Sequence, residues 1–104
     1  MDSIEPLTDA ELRITVESRA GLPVEDATVT ATVYDPKGQV VATDAACPRE
    51  SGNTYVLSIG HAWSERSGAP LLGEYTAYVK VLRAGARRTH RVRYAVQYPE
   101  TGAR

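Results

Sequence analysis

Residues Gly21–Val41 read GLPVEDATVTATVYDPKGQVV. Inside this stretch Val29, Ala31 and Val33 alternate with Thr28, Thr30 and Thr32. A period of two sends successive side chains to opposite faces of an extended chain. β-Branched threonine fits a pleated, solvated face. The segment therefore predicts a strand with its valines inward, and the threonines are a sheet exterior rather than a row of catalytic hydroxyls. Asp35-Pro36-Lys37-Gly38 then fits a type I turn, with proline at the second position and glycine at the last. Gln39–Thr43 returns from that turn as the next strand. Nothing in the stretch is a nucleophile, a metal ligand or a phosphate cradle.

The same period recurs on both sides. Leu12, Ile14 and Val16 oppose Arg13, Thr15 and Glu17, and Tyr55, Leu57 and Ile59 share one parity. Tyr75, Ala77, Val79 and Val81 form a further inward set. Val92, Tyr94, Val96 and Tyr98 form another, with Arg91, Arg93 and Gln97 outward. Residues 44–53 read as a loop or a poorly paired segment. Residues 61–73 are the longest irregular stretch, with room for one helical turn at Ala62–Arg66. Residues 84–87 form a turn. Six to seven short strands at this spacing, with no helix of ordinary length, predict an antiparallel β-sandwich over residues 11–98. Residues 1–10 read as an N-terminal arm and residues 99–104 as a tail, with Pro99 ending the last strand.

A chain of 104 residues has room for one small domain with one core. Cys47 is its only cysteine, so no internal disulfide forms. No spaced Cys/His set points to structural zinc. With alanines before it and Pro48 after it, Cys47 reads as an inert thiol. The first residues carry acids and a proline rather than a basic-then-apolar leader, so no signal peptide is expected. No window reaches the length of a membrane span. Residues 1–52 hold ten acids and four bases, and residues 53–104 hold three acids and eight bases, for net charges of −6 and +5. Either acidic and basic strands neutralise each other within one domain, or polar protomers stack on their own copies.

The chemistry-bearing residues do not converge. His61 lies beside Trp63, Ser64 and Glu65, yet no Gly-x-Ser-x-Gly elbow or oxyanion segment accompanies them. His90 reads as a partly buried edge residue. No glycine-rich phosphate loop and no acidic calcium loop is present. A non-enzymatic protein without cofactor, metal or small-molecule substrate is expected. Two features point instead to contact. Arg87, Arg88, Arg91 and Arg93 form the one basic cluster, with Arg91 and Arg93 on one strand face. It reads as a solvated, pairing-resistant exterior or as a site for an acidic protein surface. The net charge of −1 and the lack of aromatics on that face disfavour nucleic acid. Trp63 sits in the polar loop, either as a plug over one end of the sandwich or as a partner anchor, with His61 beside it as a further contact residue.

One motif narrows the fold. Leu72–Val79, LGEYTAYV, has the form Gly-x-Tyr-x-Ala-x-Val. It resembles the penultimate strand of an immunoglobulin-like domain, with Tyr75 in the corner-tyrosine place and Ala77 in the usual cysteine place. That resemblance implies packing in place of a disulfide and a backbone partner for the Tyr75 hydroxyl. Together with the Gly-x-Pro-Val loop at Gly21–Val24 and the Pro36–Gly38 turn, residues 11–98 resemble the short immunoglobulin-like structural proteins of tailed bacteriophages. This resemblance implies a virion subunit, assembled in the bacterial cytoplasm, that contacts other virion proteins and copies of itself. A stand-alone bacterial binding module for a protein or glycan shares the same motifs.

Overall fold

The computed structural model describes residues 2–98. Eight strands form two sheets: β1 (Asp2–Ile4), β2 (Ala10–Thr15), β3 (Thr28–Tyr34), β4 (Val40–Ala46), β5 (Arg49–Ser51), β6 (Thr54–Ile59), β7 (Gly73–Arg83) and β8 (Ala86–Val96). The larger sheet has the order β1-β8-β7-β3-β4, and the smaller has the order β2-β6-β5. One 3-10 turn, His61–Ser64, interrupts the long loop.

The inward sets meet across the two sheets. Leu12, Tyr55, Leu57 and Ile59 from the smaller sheet pack against Val29, Ala31, Val33, Tyr75, Ala77 and Val79 from the larger one. Burial of this apolar surface is the main force closing the sandwich. Register explains the continuity of the core wall. Val29, Ala31 and Val33 lie opposite Val81, Val79 and Ala77, so one face of two strands is apolar throughout.

Four expectations change. The residues read as an arm are built into the fold, because Asp2–Ile4 pairs with Tyr94–Val96. That pairing is parallel, so the sandwich is not wholly antiparallel. Residues 44–53 are more ordered than a loop: β4 continues to Ala46 past a bulge, and β5 pairs with β6. This brings the strands to eight rather than six or seven. His90 and Tyr98 are exposed, although both share the inward parity. Tyr94 and Val96 on the same face of β8 are buried, so the exposure belongs to the start of the strand at Ala86–Arg91, and Tyr98 lies past its end. The tail at 99–104 lies outside the described residues, as does Met1 of the arm.

The turns follow local chemistry. Gly38 has φ +83° and its N–H donates to the Asp35 carbonyl at 3.0 Å. The β7–β8 hairpin closes through Ala84 and Gly85, both with positive φ (50° and 81°). Two left-handed residues match the twist of the flanking strands. Strand β8 therefore already includes Ala86 and Arg87, which the sequence predicts as turn residues.

Candidate functional site

The loop at one end of the sandwich is held by hydrogen bonds that the sequence hides. The Asp35 side chain is wholly buried. One carboxylate oxygen accepts the Lys37 and Gln39 N–H groups, both at 2.9 Å, and the other accepts Arg66 at 2.8 Å. Burial opposes ionisation of Asp35, but the Gln39 N–H, Arg66 and the Lys37 N–H outweigh it and hold the carboxyl below its ordinary range. Arg66 also donates to the Trp63 and Glu65 carbonyls. It thus fastens the 3-10 turn to the Asp35–Gly38 turn. Leu71 closes the loop. Its N–H donates to the Ser64 carbonyl at 2.8 Å, and its own carbonyl accepts the Tyr75 hydroxyl at 2.8 Å.

Trp63 is half-buried and packs against the core, with its indole against Gly60. The same side chain lines an outer groove of about 690 Å³ with Asp9, Glu11 and Ser58. His61 is tied to the N-terminal segment: Asp9 accepts both its N–H at 2.7 Å and a contact from Nδ1 at 2.8 Å. The His61 hydrogen bonds hold the Asp9 carboxyl below its ordinary range. Ser64 is buried, and its hydroxyl accepts the Leu7 N–H at 3.0 Å. Among the described residues no hydrogen bond joins His61 to Ser64. Cys47 is buried, and desolvation pushes its thiol up to about 11, the opposite of an activated thiolate.

The four arginines divide by parity. Arg87, Arg91 and Arg93 lie on the outer face of the larger sheet, whereas Arg88 points to the inner side and reaches the Glu17 carbonyl at 3.4 Å. Arg93 pairs with Glu74 at 3.3 Å. Among the described residues Arg87 and Arg91 form no ion pair. Arg91 stands directly across from Tyr78, and Arg87 across from Leu82. An aromatic side chain therefore does share the arginine face, contrary to the single-strand reading. It arrives from the neighbouring strand, and cross-strand register is not visible in β8 alone.

Tyr78 and Leu82 are 41% and 43% exposed, large apolar groups left on the surface beside those cations. Tyr78 meets Tyr34 edge-on, with ring centroids 5.6 Å apart at 85°. The two rings form a wall of an open groove of about 730 Å³, which Pro36, Gly38, Glu74 and Thr76 complete. Tyr34, Tyr78, Leu82 and Glu74 were not singled out from the sequence. The signal was present in the outward parity of Tyr78 and Leu82 on β7, opposite to the core set.

No group of metal-ligating side chains is assembled among the described residues. No helix among them is long and apolar enough to cross a membrane. No protein-family model, no curated protein and no solved structure matches the chain.

Proposed function

We propose that this chain is a non-enzymatic structural subunit with an immunoglobulin-like fold, which acts by protein–protein contact in a bacteriophage particle. Strand order supports the fold. The run β8-β7-β3-β4 corresponds to G-F-C-C′ of a variable-type domain, β2-β6-β5 to B-E-D, and β1 to an N-terminal strand beside G. The Tyr75 hydroxyl bonded four residues upstream supports the corner-tyrosine role.

The observation that carries the contact reading is the outer face of the larger sheet. Exposed Tyr78 and Leu82 lie in register with Arg91 and Arg87, whose charges have no intramolecular ion partner among the described residues. Aromatic residues and arginine are enriched where proteins bind one another. The particle itself rests on the resemblance of residues 11–98. Mass spectrometry of purified particles tests it, with the chain expected at a fixed, symmetry-related copy number. Absence from particles that otherwise assemble fully overturns it.

A specific observation favours a second reading, a binding module for a protein or glycan. The groove at Tyr34 and Tyr78 combines aromatic walls with the Glu74 carboxylate, a combination that suits a bound ring bearing hydroxyls. A monomeric protein that binds oligosaccharide at this groove, and loses it on Tyr78→Ala, supports this module over the virion subunit.

A further inference from the structure

Strand β8 runs from Ala86 to Val96, but β1 covers only Tyr94–Val96 on its outer edge. From Ala86 to Arg93 the other side of β8 has no strand neighbour among the described residues. The pairing of β8 with β7 shows no register shift from Gly73–Val96 to Arg83–Ala86. No bulge twists this edge away, and no proline interrupts it. Six consecutive residues, Ala86–Arg91, are exposed. Such an edge presents unpaired N–H and C=O groups to any extended segment.

A second feature lies beside it. A cleft of about 190 Å³ opens between the hairpin and the loop after β2. Val16, Val24 and Val81 form its apolar floor, and Arg88 and His90 stand at its β8 wall. A cavity of roughly 150 Å³ accommodates benzene, so this one accommodates an aliphatic side chain.

We infer that the free edge of β8 takes up an extended segment of a partner protein in which acidic and apolar residues alternate. This rests on the protein-contact reading above. The alternation follows from the pleat. Side chains of an added strand that fall on the outer face meet Arg87 and Arg91, which have no ion partner among the described residues. Those on the inner face meet the cleft with its valine floor. Arg87 and Arg91 are four residues apart, so acids at i and i+4 match them, with apolar residues at i+1 and i+3. Main-chain hydrogen bonds supply affinity and the alternate side chains supply selectivity. A second copy of β8 is the wrong occupant, because antiparallel self-pairing places this arginine-rich segment against itself, and like charges directly opposite repel.

The test uses the full chain and a synthetic peptide of about eight residues, matching the free edge from Ala86 to Arg93 at ~3.3 Å per residue, in which Glu alternates with Val and Thr. Calorimetry is expected to show binding at least about tenfold tighter than for the same peptide with Lys replacing Glu, one decade being ~1.4 kcal/mol. Amide hydrogen exchange is expected to slow at alternate residues between Arg87 and Arg93. A proline at the peptide centre abolishes both effects, and Arg87→Glu with Arg91→Glu reverses the preference toward the Lys peptide. Binding without slowed β8 exchange, equal affinity for the Lys peptide, or dimerisation of the free chain through β8 overturns the inference. If the peptide fails while mass spectrometry still finds the chain at fixed copy number in purified particles, the edge inference fails alone and the subunit reading stands.

Discussion

Tyr75 and Tyr94 stack across the β7–β8 pair, ring centroids 5.4 Å apart at 18°, yet only Tyr75 has its hydroxyl satisfied. The Tyr94 hydroxyl is buried and finds no partner among the described residues. Desolvation raises both phenols above their ordinary range. The two tyrosines should therefore answer the same substitution differently. Tyr75→Phe is expected to cost about 1–2 kcal/mol, since the Leu71 carbonyl loses its donor. Tyr94→Phe is expected to be neutral or stabilising, since it removes a buried polar group that has no bond to lose. Urea denaturation of both variants checks this, and equal losses would contradict it.

The Asp35–Arg66 pair predicts acid sensitivity. The folded-state pKa of Asp35 lies below its ordinary value of 3.8. Its contribution is then fully present above that ordinary value and is lost as pH falls through the lower, folded-state value. Asp35→Ala is expected to cost about 1.5–3 kcal/mol at neutral pH, the range for hydrogen bonds to a charged group. The same variant should show a flatter fall in stability at acid pH. A wild-type-like acid limb in the variant argues that other carboxylates set it.

Gly73 is fixed from two directions. Its φ is +128°, and a Cβ there would lie 3.0 Å from Cγ of Pro36. Gly73→Ala should destabilise the domain by about 2 kcal/mol, through backbone strain and displacement of the Asp35–Gly38 turn. Pairing it with Pro36→Ala should recover only the steric part. Thermal unfolding of the single and double variants separates the two terms, and full additivity would exclude the contact.

Trp63 is expected to serve stability first. Replacing it with alanine uncovers one end of the core and should cost about 2 kcal/mol, below the range for a fully buried tryptophan because part of the side chain is already exposed. The readout is the urea midpoint at constant m-value. A variant as stable as the parent but defective in partner binding would make Trp63 an anchor alone.

The outer-face arginines predict salt-sensitive association. Arg87→Glu and Arg91→Glu should leave folding intact, because both side chains are exposed and form no ion pair among the described residues, while slowing association with an acidic partner. Raising salt from 0.1 M to 1 M shortens the Debye length from ~10 Å to ~3 Å and should produce the same loss in the parent. Arg93→Glu should differ, because it also sets a carboxylate beside Glu74. Association rates across salt, with circular dichroism as the folding control, check all three.

The all-β class, the strand cores and the inward sets at Val29–Val33, Tyr55–Ile59 and Tyr75–Val81 are legible in local pattern alone. Period two is a local property, since each residue's face follows from that of its neighbour. The Asp35–Gly38 turn is legible in the same way, because proline and glycine act on their own dihedrals. Register and coverage belonged to the tertiary structure. Only the alignment of β7 with β8 put Tyr78 beside Arg91, and only the packing decided that the inner face of β8 is buried at Tyr94 and Val96 but exposed at His90. The N-terminal residues joined the sheet because the edge of β8 at Tyr94–Val96 offers hydrogen-bonding groups that no local pattern in Asp2–Ile4 announces. The Asp35–Arg66 bond spans 31 residues. The candidate surface was likewise half legible: its arginines are a run in one strand, whereas the aromatic, apolar and acidic groups beside them come from another. Contacts of that kind are fixed by which strands pair and in what register, and no single segment contains that information.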